Sequence, residues 1–268
     1  MEKEKQPQNE PIEVQTYKAN MKRFCSTDVF LASVPRSGNT WMRLLLSDAI
    51  LQHLGHETHT GGNIVPDVYK DDINVWNQDA RLETLDFRVI KTHHPFDESF
   101  SRAVYIFRHP AECFNSLYHY QFRYPGFKEL NMSIETFIDK CVDTWLDNMR
   151  SYLAAADLSP ERFLFLSYES MHAGTTNELM KTLRFIGLDV SKECCQRAVD
   201  HQSFDRVQKA AKAGETDKLG FKEDGGVKDF FRKGKARSAA DEISPKALAM
   251  LKEKTGDVLE QALHLSRV

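Results

Sequence analysis

A segment rich in hydrogen-bond donors follows the first apolar run of the chain, in the order Val34-Pro35-Arg36-Ser37-Gly38-Asn39-Thr40. Its glycine lets a ligand approach the backbone closely, its arginine is permanently charged, and its hydroxyl and amide side chains add donors. If a helix begins here, its first N–H groups also point at the ligand, so the segment predicts a phosphate-binding turn. The Gly-Lys-[Ser/Thr] triplet of ATP-binding loops is missing, which argues against a kinase or ATPase. An ordinary strand-to-helix turn with a Ser or Thr cap would use the same residues.

A lysine and a histidine, Lys91 and His93, lie two residues apart where another apolar run ends. The segment reads Lys91-Thr92-His93-His94-Pro95. Alternation along a strand places Lys91 and His93 on one side and His94 on the other. A cation and an imidazole at the carboxyl end of a strand predict a charge stabiliser and a general base. A surface or capping role for His93 is the alternative, and His94 is assigned a packing or hydrogen-bonding role.

Arg108 ends a third apolar run, and Ser116 follows eight residues later. Pro110 is well placed as the first residue of a helix, which would put Ser116 two turns into it. An arginine at a strand end and a serine on the next helix can hold a second phosphate, with bidentate contacts from the arginine. An exposed arginine and a solvated serine are the alternative.

These residues need a scaffold of short buried strands. Nearly continuous apolar runs occur at 28–34, 87–92, 103–107 and 162–168, and helical spacing occurs at 41–54, 133–155, 172–187, 191–201 and 244–264. Strands of this kind, separated by helices, favour a parallel sheet. We predict an α/β, three-layer P-loop-type fold with a central parallel β-sheet flanked by helices. Residues 205–240 are predicted to form a long loop.

Composition excludes several classes of protein. The chain has 268 residues, 41% hydrophobic and 28% charged, with a formal net charge of −3, which argues against a general polyanion or nucleic-acid binder. Five scattered cysteines indicate reduced thiols, and the N-terminus has no apolar signal segment, so a cytoplasmic location without membrane association is expected. We predict a mobile N-terminal tail over residues 1–20 and a single domain over residues 21–268.

With the three strand ends in this order, the sequence resembles the PAPS-dependent sulfotransferases, which transfer a sulfonate group from 3′-phosphoadenosine 5′-phosphosulfate (PAPS) to an acceptor. The family pattern Pro-[Lys/Arg]-Ser-Gly-x-Thr-Trp is matched by residues 35–41, and Lys-Thr-His-x-Pro by residues 91–95. The family's Arg with a Ser eight residues later is matched by Arg108 and Ser116. Two similarities are weaker. Residues 166–171 resemble the family's Tyr-Glu-Asp-Met strand end, and residues 232–234 match its Arg-Lys-Gly loop.

The resemblance implies a role for each matching residue. Those expected to hold the 5′-phosphosulfate are Arg36, Ser37, Gly38, Asn39 and Thr40, with Trp41 against the adenine. Those expected to hold the 3′-phosphate are Arg108, Ser116, Arg232, Lys233 and Gly234, with Tyr168, Ser203 and Phe204 near the nucleoside. His93 is the expected base, and Lys91 and Arg36 are expected to stabilise the developing charge. The product is adenosine 3′,5′-bisphosphate (PAP), and no metal is required.

Three departures from the cytosolic animal members are visible. Arg36 replaces their usual Lys, which leaves open whether it stabilises the bridging oxygen. His109 replaces a better helix-capping Asn or Asp. The Gly-Asp-Trp expected after Gly234 and the downstream dimer motif are absent, so the oligomeric state is open.

The acceptor is expected to be a small molecule that presents a hydroxyl or an amine. The stretch 67–86 carries six carboxylates, Asp67, Asp71, Asp72, Asp79, Glu83 and Asp86, against Lys70 and Arg81. This acidic surplus suggests a cationic acceptor such as an amine-bearing natural product, although solvated surface charges explain it as well. The alternative functions are a carbohydrate sulfotransferase, a nucleotide-dependent kinase, or a nucleotide-binding module without catalysis.

Overall fold

The central layer is a parallel sheet of four strands. The computed structural model describes residues 10–58, 63–122, 124–213 and 239–267. In these ranges the strands are β1 (Val29–Ser33), β2 (Val89–Thr92), β3 (Arg102–Phe107) and β4 (Phe163–Ser167), in the order β2-β1-β3-β4. All three neighbouring pairs are parallel, which confirms the predicted α/β fold and its parallel sheet.

Helices connect the strands and cover the sheet. The α-helices among the described residues are α1 (Ile12–Met21), α2 (Asn39–His53), α3 (Val75–Gln78), α4 (Pro110–Gln121), α5 (Pro125–Glu129), α6 (Ile134–Leu158), α7 (Tyr168–Ala173), α8 (Thr175–Ile186), α9 (Lys192–His201), α10 (Phe204–Lys212) and α11 (Pro245–Arg267). Short 3₁₀ helices lie at Ala80–Leu82, Pro160–Arg162 and Ala239–Asp241. None of the helices in the described ranges combines the length and the apolar character needed to span a membrane.

Alternate residues of each strand pack into two different cores, because successive side chains point to opposite faces of a sheet. Phe30 and Tyr105 face one layer, which includes residues of α4, α6 and α11. Leu31 and Ile106 face the other layer, which includes residues of α2, α8 and α9. Both faces are therefore covered, which explains the continuous apolar runs of the strands.

The predicted N-terminal tail is wrong over residues 12–20, because these residues belong to helix α1. The helix docks through Asn20, whose amide donates to the carbonyls of Val68 and Asp71 at 2.9 and 2.8 Å and accepts from the Ile73 N–H at 3.3 Å. Tyr17 is also buried, and its ring stacks at 5.0 Å on that of Tyr69. These contacts are distant in sequence, so helical periodicity within the segment gave no sign of them. Residues 1–9 lie outside the described ranges.

The predicted loop over 205–240 is wrong at its start, where α10 continues to Lys212. Its last residues form part of the 3₁₀ helix Ala239–Asp241. Residues 214–238 lie outside the described ranges.

We expect Asn20→Ala to lower the free energy of unfolding by about 2 kcal/mol, since the change leaves buried backbone groups without hydrogen-bond partners. Denaturant unfolding measures this difference. Gln15→Ala, on the exposed side of the same helix, is the control and should change stability by less than about 0.5 kcal/mol. Equal effects of the two substitutions would show that α1 is not docked through Asn20.

Candidate active site

The turn between β1 and α2 has the geometry of an anion-binding loop. Arg36 and Gly38 both adopt left-handed backbone conformations, with φ of 73° and 101°. A Cβ at Gly38 would lie 2.6 Å from Cδ2 of Tyr168, so only glycine fits. Helix α2 begins at Asn39, and its first N–H groups, which lack partners within the helix, open towards the carboxyl edge of the sheet.

Arg36, Arg108 and Ser116 lie together beside this turn. Arg36 Nε donates to Ser116 Oγ at 3.1 Å, and its guanidinium lies 4.9 Å from the ring centre of Tyr120. Arg108 Nη1 is 3.4 Å from the carbonyl oxygen of Arg36, and its guanidinium lies 4.2 Å from the ring centre of Tyr168. Two permanent positive charges therefore meet beside the turn, which suits a ligand with two phosphate-type groups.

An aromatic cluster forms the next wall. The ring of Trp41 lies 6.2 Å from that of Tyr168 and 4.9 Å from that of His172. Its indole N–H donates at 3.2 Å to the carbonyl of Gln202, the residue before Ser203. The predicted nucleoside residues Trp41, Tyr168 and Ser203 are therefore brought into one region.

The remaining predicted site residues lie in the turn, at the start of α10, or outside the described residues. Ser37 and Asn39 are buried in the turn, and Thr40 is half-buried. Asn39 donates inward to the carbonyl of Leu31 and to Ser33 Oγ, at 2.9 and 3.2 Å. Phe204 is the first residue of α10. Arg232, Lys233 and Gly234 lie outside the described residues.

His93 is held in one tautomer. Its Nδ1 lies 2.7 Å from the carbonyl oxygen of Ser33, at the end of β1. A carbonyl oxygen only accepts, so Nδ1 carries the hydrogen and Nε2 keeps its lone pair. Burial and the neighbouring Lys91 charge together lower the pKa of His93 to about 3, so the ring is neutral at physiological pH.

Helix α6 holds the segment that follows β2. Asn148 donates to the His93 carbonyl at 3.1 Å and accepts from the Tyr105 hydroxyl at 2.6 Å. One turn later Tyr152 donates to the His94 carbonyl at 3.0 Å. The His94 ring stacks on Tyr17 at 4.7 Å, in agreement with its predicted packing role. The fixed backbone orients the His93 ring.

Lys91 forms an ion pair that was not predicted. Its Nζ lies 2.7 Å from Asp67 Oδ2, and both side chains are about nine-tenths buried. Sequence reasoning placed Asp67 only in an acidic surface stretch, and it missed Asn148 and Tyr105 as partners of the His93 segment. These partners come from a loop, a helix and a strand that are distant along the chain, so no local motif marked them.

The acidic stretch carries less unpaired charge than its composition suggests. Besides Asp67, its Asp72 pairs with Arg23 at 2.7 Å and its Asp79 with Arg81 at 2.6 Å. Three of the six carboxylates thus hold cations of this chain, which weakens the argument for a cationic acceptor.

Comparison with known proteins agrees with this geometry. The family model described as "Sulfotransferase domain" matches residues 26–265, which is most of the chain. The chain belongs to the sulfotransferase family. It is 23% identical to cytosolic sulfotransferase 13 of Arabidopsis thaliana, over 82% of this chain and 72% of the relative. It is 23% identical to sulfotransferase 1C2 of Rattus norvegicus, over 83% of this chain and 78% of the relative.

Solved sulfotransferase structures share the fold. A mouse sulfotransferase in complex with PAP superposes with a TM-score of 0.68 and 20% identity, covering 96% of this chain and 94% of the mouse chain. Retinol dehydratase in complex with androsterone and PAP superposes with a TM-score of 0.61 and 20% identity, covering 92% and 85% of the two chains. The solved structures show the shared fold. The family model and the named relatives make the chain a PAPS-dependent sulfotransferase by family.

We expect Gly38→Ala to destabilise this sulfotransferase more than Gly187→Ala. Both glycines have φ near 100°, but a Cβ at Gly187 meets nothing within 4 Å, whereas one at Gly38 collides with Tyr168. The Gly187 change should cost about 1 kcal/mol for the left-handed backbone, and the Gly38 change clearly more. Denaturant unfolding of both variants tests this, and equal losses would contradict the close approach of Tyr168.

We expect the His93 ring to stay neutral as the pH falls from 8 to 5, because its pKa is held far below the usual 6.5. Nuclear magnetic resonance of the ring nitrogens measures this, and the His93→Gln spectrum identifies the signal. Between pH 7 and pH 5, His93 then takes up a proton only in the unfolded chain. As the pH falls over this range, the proton uptake lowers the free energy of unfolding by at most about 2 kcal/mol. A titration midpoint near 6.5 would contradict the half-buried, carbonyl-bound ring.

Proposed function

We propose that this sulfotransferase transfers the sulfonate group of PAPS to a hydroxyl or amine of a small-molecule acceptor, with His93 as the general base. The observation that carries the proposal is the 2.7 Å contact between His93 Nδ1 and the Ser33 carbonyl. It leaves a neutral imidazole whose Nε2 can take the acceptor's proton as the acceptor oxygen or nitrogen attacks sulfur.

The donor is assigned to the turn after β1 and to the arginine pair beside it. The residues proposed to bind the 5′-phosphosulfate are Arg36, Ser37, Gly38, Asn39 and Thr40. Arg108 and Ser116 are proposed to bind the 3′-phosphate, together with Arg232, Lys233 and Gly234. The residues proposed to bind the nucleoside are Trp41, Tyr168, Ser203 and Phe204. The fit rests on a glycine turn that excludes a Cβ and on two arginines that converge from neighbouring strand ends.

When bound, PAPS supplies an electrophilic sulfur and a phosphate leaving group. Attack on sulfur has the same requirements as phosphoryl transfer, namely an in-line nucleophile and neutralisation of the charge on the leaving group. In this chain, Lys91 and Arg36 are proposed to supply that positive charge. The guanidinium of Arg36 is planar and forked, so it can contact two oxygens at once.

Of these two acceptor classes, we favour an uncharged alcohol or phenol over an amine. Retinol dehydratase, a protein of the same fold, has been solved with androsterone, an alcohol. Three carboxylates of the acidic stretch are occupied by the chain's own cations, so less charge remains to attract an amine. We propose a cytosolic location, as for the plant relatives named cytosolic sulfotransferases.

We expect PAP to bind at least tenfold more tightly than AMP, and Arg108→Ala to remove that preference. Titration calorimetry with PAP, AMP and ATP measures it. Arg184→Ala is the control and should bind PAP normally. This arginine is exposed, and its ion pair with Asp189 is long, at 3.8 Å. Equal binding of PAP and AMP by the unmodified protein would overturn the donor assignment.

We expect His93→Gln to lower sulfonate transfer by at least a hundredfold while PAP affinity stays within threefold. Transfer from labelled PAPS to phenols, steroid alcohols and amines measures the rate, with ATP and magnesium as a comparison donor. Unchanged transfer by His93→Gln would refute its role as base, and transfer from ATP would favour a kinase.

A further inference from the structure

Asp67 lies on a short segment that extends the sheet beyond β2. The Lys91 N–H donates to the Pro66 carbonyl at 2.8 Å, and the Val68 N–H donates to the Lys91 carbonyl at 3.0 Å. Asp67 and Lys91 are thereby paired as neighbours in a parallel bridge. Side chains paired in this way lie on the same side of the sheet, which accounts for the 2.7 Å contact between Lys91 Nζ and Asp67 Oδ2.

Both the carboxylate and the backbone of Asp67 have further hydrogen-bond partners. Its Oδ1 accepts from the Tyr69 N–H at 3.1 Å, and its own backbone N–H donates to Asp71 Oδ2 at 2.8 Å. Arg43, from helix α2, donates at 2.5 Å to the Val65 carbonyl and adds a positive charge nearby. Burial works against the charged form of Asp67, but the Lys91 ammonium, the charge of Arg43 and the Tyr69 N–H together outweigh it, so the pKa of Asp67 lies below its usual value.

The surroundings of Lys91 oppose its positive charge. Burial lowers its pKa, the charges of Arg43 and Lys70 lower it further, and Asp67 opposes this fall. Two of these neighbours, Asp67 and Arg43, also act on the charge state of His93, together with Lys91 itself. The ammonium, its counter-ion and the imidazole therefore form one electrostatic group at the carboxyl end of β2.

We propose that Asp67 is a positioning residue that holds the Lys91 side chain beside His93 as a charged ammonium in one fixed place. The ammonium has three N–H donors, and one is directed at Asp67. Among the described residues the other two are left for the charge that develops during sulfonate transfer. A neutral amine would lose one donor and the positive charge. The inference rests on the proposed function, in which Lys91 stabilises that charge.

The test compares the pH dependence of transfer in Asp67→Asn, Lys91→Arg and the unmodified enzyme. Asp67→Asn should lower the transfer rate at least tenfold at pH 8 and much less at pH 6, because lower pH restores the ammonium. Lys91→Arg should move any loss of activity at alkaline pH to higher pH, since a guanidinium stays charged. Asp72→Asn, which breaks an exposed ion pair in the same stretch, is the control and should leave the profile unchanged.

A double variant keeps the test valid if Asp67→Asn folds poorly, because Asp67→Asn/Lys91→Gln removes both buried charges together. If Asp67 acts through Lys91, this double variant and Lys91→Gln should transfer sulfonate at rates within threefold of each other. A double variant at least tenfold slower than Lys91→Gln would overturn the proposal, as would an Asp67→Asn profile parallel to that of the unmodified enzyme.

Titration calorimetry separates this inference from the proposed function. PAP affinity should stay within threefold in Asp67→Asn, since Asp67 is not assigned to the nucleotide site. If the unmodified protein neither prefers PAP nor transfers sulfonate, the proposed function fails first. If it does both and Asp67→Asn transfers sulfonate at the normal rate from pH 6 to pH 9, only the role of Asp67 is refuted.

Discussion

The parallel register of β1 with its two neighbours is the constraint on which the site depends. The last paired residues of β1 and β2 immediately precede Ser33 and His93, so these two emerge side by side. Ser33 is also paired with Ile106 of β3, which brings Arg108, two residues later, level with the turn after β1. A slip of one residue would reverse the faces of a strand and separate His93 from the Ser33 carbonyl.

Burial of charge is the second organising feature. Lys91 and Arg108 are both buried, and each has a carboxylate nearby, Asp67 at 2.7 Å and Glu112 at 3.7 Å. Glu112 also accepts from the backbone N–H of Ala239, at the start of the last described range. Removal of one partner from such a pair leaves an uncompensated charge in a medium of low polarity. The ion pairs therefore fix the positions of both cations through contacts within the chain itself.

The strands were predictable because each is a short apolar run that is buried on both faces, and the structure confirms all four within a residue or two. The three motif positions were predictable because each lies where such a run ends. Helix α1 was not, since it is held by Asn20 and Tyr17 through contacts with a loop about fifty residues away. The start of α10 was missed for a related reason, because its polar composition resembled that of the long loop that was predicted there.

By itself the sequence determined the residue types at the three strand ends, and these motifs indicated the family. It also predicted that these residues share one site, because parallel strands bring their carboxyl ends to the same edge of a sheet. Only the tertiary structure decided which groups face those residues. The Ser33 carbonyl selects the tautomer of His93, and Asp67 forms an ion pair with Lys91. Both effects depend on distances of about 2.7 Å between atoms that are distant along the chain. Hydrogen bonds weaken steeply beyond such distances, and the attraction between opposite charges falls as they separate.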